Sequence, residues 1–504
     1  MNLKDRLFQS AVFSIFGRIV AFSIAFIITP FMMQNLGAEG YGLWLLIIAV
    51  VGWFRFVDLG FSSAVQRSIA IAIENNDSEK INTIFSCSVV LFSSLGLMAA
   101  GFICLLSLFP SLLGVEEQHY TTVTISLLIL SVKIFWDLGM SCFHGFYSAL
   151  IRYDVDANIN TANELIKAGL IFVLLSDLNI YGAVIATMAA DFLTNIFKIG
   201  YARKLYPGFK FEKRLINKLE FKKLFDYSKH VFILVVAASF SKGTDSLIIS
   251  HLLGLSFVAV YGVAARLVHM IEELLLTVLG LFLPVLTRLI EKQGEVEGEI
   301  NKVFSLNFLL VSSCFIPLII FAEDFIFLWL GEGFEQADTI VAAIAMALLC
   351  RSISRPVQVL LLAKATHSGL GLVRIIQVVL NILLSIYLGL KFGMLGILIA
   401  TITSFLICDV FMHLALYRIY TEYSLGAIVS RFFASIVLVV SLSALGHFYL
   451  NSLPPLSWIE LFAYSGITFV ISFLLVWIVI VERSAKHLIT SIVVSNLKQY
   501  GLWR

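Results

Sequence analysis

The chain reads as a series of long apolar runs separated by short polar connections. A helix needs about 20 mostly apolar residues to cross the hydrocarbon of a bilayer, since each residue advances it by about 1.5 Å. Runs of that kind fall near 11–33, 40–61, 82–109, 121–149, 157–176, 180–200, 229–253, 256–284, 303–321, 337–362, 369–390, 394–417, 426–449 and 457–481. Polar residues interrupt 157–176 and 337–362 most. The pattern predicts an all-α polytopic membrane protein of about fourteen transmembrane helices. The first run begins after charged residues and continues past Pro30 without a small-residue cleavage site, so it reads as a membrane helix, not a signal peptide.

Composition agrees. Hydrophobic residues make up 60% of the 504, charged residues only 13%, and mean hydropathy is +0.96. Soluble domains carry about 25% charged residues, so the outer solvent of this chain is lipid. The net charge of +2 says little, and no nucleic-acid partner is expected. The distribution of charge says more. Segment 201–230 holds nine Lys or Arg, and the tail adds Arg483, Lys486, Lys498 and Arg504. Loops 63–81, 285–302 and 418–425 are also basic. Between them, 110–120 carries Glu116 and Glu117 without Lys or Arg, and 322–338 carries Glu323, Asp324, Glu332, Glu335 and Asp338, again without. Cytoplasmic loops are the basic ones. The alternation therefore predicts an even number of spans with both termini in the cytoplasm, and a cell inner membrane as the location.

Several chemistries are excluded by pattern. The six cysteines, at 87, 104, 142, 314, 350 and 408, all lie in apolar runs without metal-ligand or disulfide spacing. No GxxxxGK[ST] phosphate loop occurs, so direct ATP hydrolysis is not expected. The acidic loops are too short for the catalytic domain of a membrane polymerase or ligase. No cofactor or metal is expected.

The chain repeats itself. Tyr41-Gly42 is followed after sixteen residues by Leu59-Gly60, and Tyr261-Gly262 after sixteen by Leu279-Gly280. Leu36-Gly37 is echoed by Leu253-Gly254. Gly182 opens GAVIAT and Gly396 opens GILIAT, with Tyr206 and Tyr420 each twenty-four residues further on. The offsets are 214 to 220. Two six-helix bundles in parallel topology follow, assigned to 1–215 and 216–424, with two further helices and a tail in 425–504.

Charged residues inside these runs are costly, at least about 2.5 kcal/mol each at the bilayer centre, and they commonly face a bundle interior or hydrated cavity. Run 157–176 carries Asn160, Asn163, Glu164 and Lys167 on one helical face. Run 369–390 carries Arg374, Gln377, Asn381 and Ser385 at matching spacing. Through the offset of 214, Asn160, Asn163 and Lys167 correspond to Arg374, Gln377 and Asn381, as expected if both stripes line a cavity. Polar glue between packed helices is the alternative. Arg18, Arg55 with Asp58, Lys242 with Asp245, and Arg266, His269 and Glu273 are further embedded charges. Opposite charges three or four apart, including Lys133–Asp137, also suit simple mutual neutralisation. Arg351 and Arg355 lie one turn apart with Gln358 and no acid nearby on their helix, a pairing that suits a phosphate or snorkelling to headgroups. His447, beside Tyr449, reads as interfacial. Asp58, Glu164, Asp245 and Glu273 are candidates for coupling to Na⁺ or H⁺.

The stretches LGAEGYGLW (36–44), DLGFSSAVQRSIA (58–70) and TDSLIISHLLGLSFVAVYGVAARL (244–267) resemble the Wzx-type O-antigen and polysaccharide flippases of the multidrug/oligosaccharidyl-lipid/polysaccharide exporter superfamily. The resemblance implies a V-shaped, MATE-like transporter that alternates between inward-open and outward-open states. Its cargo would be an undecaprenyl-pyrophosphate-linked oligosaccharide, an O-antigen or other surface polysaccharide repeat unit. Arg18, Arg55, Lys167, Lys242, Arg266, Arg351, Arg355 and Arg374 would supply cavity cations, with Asn160, Asn163, Gln377 and Asn381 as polar lining. The last two helices would groove the polyprenyl tail. Membrane lipid, a polysaccharide polymerase and a chain-length regulator are the partners it suggests. Cation-coupled drug efflux on the same fold and lipid II flipping remain alternatives.

Overall fold

The computed structural model describes residues 3–54, 60–150, 152–206, 208, 210–226, 228, 243–280, 282–292, 294–334, 336–364, 368–450, 456–482 and 485–486. Among them are helices and turns and no strand. Fifteen α-helices lie among the described residues. The first unit contains α1 (Leu3–Trp53), α2 (Phe61–Glu74), α3 (Ser78–Ser107), α4 (Tyr120–Ala149), α5 (Tyr153–Leu205) and α6 (Thr244–Leu253). Then follow α7 (Leu255–Gly280), α8 (Phe282–Glu291), α9 (Val296–Ile320), α10 (Ala322–Leu330), α11 (Ala337–Ala363), α12 (Ser368–Phe405), α13 (His413–Tyr420), α14 (Gly426–Leu450) and α15 (Trp458–Val479). A π-helical stretch, Leu406–Met412, joins α12 to α13. The chain divides into two compact units, 1–259 and 260–504, with the division inside α7.

Among the described residues, nine helices are long and apolar enough to cross a membrane. Three of them carry an internal break, at Gly37 in α1, Asn179 in α5 and Gly393 in α12. The run expected at 229–253 is described only from residue 243 onward. The protein is thus a multi-pass, all-α membrane protein.

The breaks reverse the chain in α5 and α12. A continuous helix would hold residues 28 apart at about 42 Å. Yet Asn163 Nδ2 donates to Asp191 Oδ1 at 2.5 Å and to Thr194 Oγ1 at 3.0 Å. Likewise Gln377 Nε2 reaches Asp409 Oδ2 at 2.6 Å. Both are therefore hairpins of two helical arms. The turns are copies of each other: φ/ψ is 50°/−136° at Asn179 and 59°/−136° at Gly393. An ideal Cβ on Gly182 would lie 2.3 Å from the Leu174 carbonyl oxygen, and one on Gly396 would lie 2.0 Å from that of Leu388. All three pairs keep the sequence offset of 214. The break at Gly37 has its counterpart at Gly254, with φ/ψ of 69°/175° and 94°/174°.

In the first unit, α2 buries Phe61, Ala64, Val65, Ile69 and Ala72, the spacing of one helical stripe. That stripe joins Phe85, Phe92, Phe143, Phe146 and Tyr147 in a common core. At Gly96 an added Cβ would come 2.8 Å from the Phe135 carbonyl oxygen, so α3 and α4 meet backbone to backbone. Segment 206–223 is tied to the start of α3. Asn82 donates to Gly208 O at 3.0 Å and accepts from Lys210 N at 3.0 Å, Glu212 N donates to Ser86 Oγ at 3.0 Å, and Lys80 pairs with Glu220. The basic segment and the basic loop before α3 therefore share one end of this unit.

In the second unit, α9 is the central helix. Asn307 donates to the Ser352 carbonyl of α11 at 2.6 Å. Ser472 of α15 donates to Ser313 O at 3.3 Å, and Arg431 of α14 reaches Ser305 Oγ at 3.3 Å and Glu482 at 3.1 Å. The last two long helices thus pack on α9. A capping box at Ser457 and Glu460 starts α15.

Candidate functional site

The second unit buries a charged cluster at the meeting of α7, α11, α12 and the π-helical stretch. Arg351 and Arg355 sit one turn apart on α11. Arg351 is 7% exposed. Glu272 of α7 lies between their ends. Its Oε1 accepts from Arg351 Nη1 at 3.1 Å and from Arg355 Nη2 at 2.9 Å, and its Oε2 faces His269 Nδ1 at 3.0 Å. On the other side, Arg351 Nε is 3.7 Å from Asp409 Oδ2, an ion pair without a hydrogen bond. Asp409 Oδ2 accepts from Gln377 Nε2 at 2.6 Å, and Gln377 Oε1 accepts from Arg374 Nη1 at 2.5 Å. The guanidinium carbon of Arg351 lies 4.2 Å from the centroid of the Phe405 ring. Gln358 contacts Arg355 at 3.4 Å and His413 Nε2 at 3.3 Å, while His413 Nδ1 faces the Cys408 carbonyl oxygen at 2.8 Å.

Why the chain folds this way is visible locally. The π-helical stretch carries Asp409. Such stretches recur at functional sites. Asp409 is 1% exposed, a position a carboxylate holds only with cationic and hydrogen-bonding partners. In the cluster the three guanidinium groups of Arg351, Arg355 and Arg374 face two carboxylates, Asp409 and Glu272. The cluster therefore carries one positive charge in excess before its histidines are counted. The Nε atoms of Arg351 and Arg355 make no hydrogen bond. A small cavity opens against Glu272, Arg351 and Arg355, with Leu275, Leu279 and Asn307 among its other walls.

The first unit holds a cluster of opposite character. Lys133 Nζ donates to Asp137 Oδ2 at 2.5 Å and lies 2.7 Å from Asp191 Oδ2. Asn195 donates to Asp137 Oδ1 at 3.0 Å, and Asn163 donates to Asp191. One ammonium is shared by two carboxylates.

The expected site residues fall into three groups. Arg351, Arg355, Arg374 and Gln377 are brought together in the second unit. Asn381 lies one arm-turn away, directed at Thr401 Oγ1 at 3.3 Å and Ser404 Oγ at 3.4 Å. On α5, Asn163 joins the acidic cluster, Glu164 and Lys167 pair with each other at 2.7 Å, and Asn160 is exposed. Arg18 is half-buried on α1, Arg266 and Glu273 are exposed on α7, and Asp245 lies in the first turn of α6. Arg55, Asp58 and Lys242 lie outside the described residues. The Arg351–Arg355 pair, which has no acid near it on its own helix, receives one from α7 and another from the π-helical stretch. Lys133 and Asp137 do form an ion pair, and Asp191 is a second acid on the same ammonium. Sequence reasoning passed over Glu272, Asp409, His413 and Asp191. A charge in an apolar run is the signal that could have found Asp409, but Glu272 is adjacent in sequence to Glu273, and only helix phase decides which points inward.

This architecture is the fold of the multidrug and lipid flippase exporters. A multidrug resistance MATE-family transporter in an inward-facing conformation aligns with a TM-score of 0.65 at 15% identity, over 81% of this chain and 100% of that one. A lipid II flippase in an inward closed conformation aligns with a TM-score of 0.69 at 16% identity, over 93% of this chain and 97% of that one. Residues 7–290, more than half of the chain, match the family described as polysaccharide biosynthesis protein, and the chain belongs to that family. A membrane protein of Bacillus subtilis, EpsK, uncharacterised, is 25% identical over 61% of this chain, and the match spans 62% of that protein's length. A probable low-salt glycan biosynthesis flippase of Haloferax volcanii is 24% identical over 80% of this chain and 81% of its own.

Proposed function

We propose that the protein is a flippase that moves a lipid-linked oligosaccharide across the bacterial inner membrane for surface polysaccharide synthesis. The observation that carries this reading is the excess positive charge gathered at Arg351, Arg355 and Arg374, the first buried and the other two partly so. Family membership and the glycan flippase relative support it. Phosphate and sugar hydroxyls do not cross hydrocarbon unaided, because each lost hydrogen bond to water costs several kcal/mol. Guanidinium groups replace that water with charge-assisted bonds of the right geometry. The cargo on this reading is an undecaprenyl-pyrophosphate-linked repeat unit. Its diphosphate binds at the arginines while the polyprenyl tail stays in lipid. Translocation proceeds by alternating access, with both termini in the cytoplasm. A polysaccharide polymerase and a chain-length regulator take up the product. On this reading Asp58, Glu164, Asp245 and Glu273 are the candidates for coupling to Na⁺ or H⁺.

Proteoliposomes loaded with a short-chain lipid-linked oligosaccharide test this. Wild-type protein is expected to expose the inner-leaflet sugar to an added glycosidase, and Arg351→Gln with Arg355→Gln to abolish that exposure. Equal exposure in empty liposomes and with wild-type protein overturns the reading. Transport of a cationic dye but not of the lipid-linked sugar would instead indicate drug efflux.

A further inference from the structure

We propose that Glu272 is a resident counter-ion: it occupies the position between Arg351 and Arg355 that a diphosphate takes, and the diphosphate binds by displacing it. This deepens the reading above and rests on the assignment of those arginines to the cargo's phosphate.

The geometry supports an exchange. One oxygen of Glu272 serves both arginines, at 3.1 and 2.9 Å. Neither contact is the two-bond fork that arginine forms with a well-matched anion. Each guanidinium has five N–H donors. In this cluster Arg351 makes one side-chain hydrogen bond and Arg355 makes two, one of them 3.4 Å long, and both Nε groups are left without an acceptor. The pair is thus held by less than it can bind. The adjoining cavity has room for about one water-sized group. An anion cannot enter beside Glu272 and has to take its place. The other cavity walls are mainly apolar, including Leu275, Leu279, Val311 and Phe315, so they offer no competing site.

Glu272 also has somewhere to go. His269 stands three residues earlier on the same helix, 3.0 Å from Oε2, and its side chain is 47% exposed. Rotation about the Glu272 side-chain bonds toward His269 moves the carboxylate outward with the backbone unchanged. Asp409 is not placed to leave: it is fully enclosed and held by Gln377. The two acids of the cluster therefore have different roles, one fixed and one exchangeable.

Selectivity follows. An anion must outcompete an intramolecular carboxylate already in position. A monovalent anion gains little by the exchange. A diphosphate brings more charge and more oxygens for the unused donors. Glu272 sets a threshold that admits diphosphates and rejects chloride, carboxylates and single phosphodiester headgroups. The apparent affinity is the intrinsic affinity scaled by the fraction of time the site is free of Glu272.

The test uses purified full-length protein and calorimetric titration with inorganic pyrophosphate, geranylgeranyl diphosphate and inorganic phosphate, with phosphatidylglycerol nanodiscs as the headgroup arm. Glu272→Gln is expected to bind both diphosphates at least tenfold tighter than wild type. Its preference for diphosphate over phosphate and phosphatidylglycerol should shrink. Glu272→Asp, a methylene shorter, keeps the charge and should fall between the two, which guards against a folding defect in Glu272→Gln. Loss of diphosphate binding in Arg351→Gln and Arg355→Gln, with Glu272→Gln and Glu272→Asp equal to wild type, overturns the counter-ion role and leaves the arginine site standing. Unchanged diphosphate affinity in the arginine variants overturns both. Tighter binding of phosphatidylglycerol than of either diphosphate by wild type overturns the threshold.

Discussion

Asp137 of α4 and Arg351 of α11 stand one repeat apart, and each meets the residue 58 positions further along its own unit. Asp137 Oδ1 accepts from Asn195 at 3.0 Å, and Arg351 Nε lies 3.7 Å from Asp409. The offset of 214 that relates Asp137 to Arg351 also relates Asn195 to Asp409 and the turn at Asn179 to the turn at Gly393. The repeat has kept the connection between helices and reversed its charge. One copy centres on two carboxylates around an ammonium, the other on three guanidiniums around two carboxylates.

The arginine end of this relationship is the one assigned to cargo. Arg355→Gln is expected to weaken diphosphate binding about 10- to 100-fold, the loss of one or two hydrogen bonds to a charged group. Surface polysaccharide in a complemented deletion strain should fall accordingly. Membrane protein abundance, measured by immunoblot, should stay near wild type.

The acidic end predicts a stability effect. Lys133→Ala leaves Asp137 and Asp191 facing each other without their shared ammonium; breaking a fully buried pair costs about 3–5 kcal/mol, which is the upper bound for this partly buried one. Thermal melting in detergent should show a large drop. The double variant Lys133→Ala with Asp191→Asn removes the stranded charge and should recover part of it.

The turns predict opposite signs for matched substitutions. Asn179 holds a positive-φ conformation with ψ near −136°, which costs a non-glycine residue about 1–3 kcal/mol. Asn179→Gly should therefore raise the melting temperature. Gly393→Ala, at the equivalent turn, should lower it. Equal shifts of the same sign in both would contradict the shared geometry.

Close packing at Gly42 is a further check. A Cβ there would lie 1.9 Å from the Leu255 carbonyl oxygen, so Gly42→Ala should lower folded yield on size-exclusion chromatography. Gly52 on the same helix has nothing within 4 Å of that position. Gly52→Ala should be neutral or slightly stabilising, as expected from helix propensity alone.

Much of this protein follows from the chain read in one dimension. Apolar run length fixes helices that span a membrane, because no other open structure satisfies its backbone there. The echo of GAVIAT by GILIAT marks two copies of one hairpin, and the structure shows the same turn three residues before each. Arg351, Arg355, Arg374 and Gln377 were identifiable as costly residues in apolar runs. Their neighbours were not. Glu272 and Glu273 are alike as letters, yet one lies between two arginines and the other faces outward, since adjacent helical residues differ by about 100° in direction. The assembly of Glu272, Arg351 and Asp409 draws on residues far apart in sequence. Such contacts depend on where the hairpins reverse and how their helices pack. Periodicity determines which residues are embedded; only the packed structure decides which embedded charges meet.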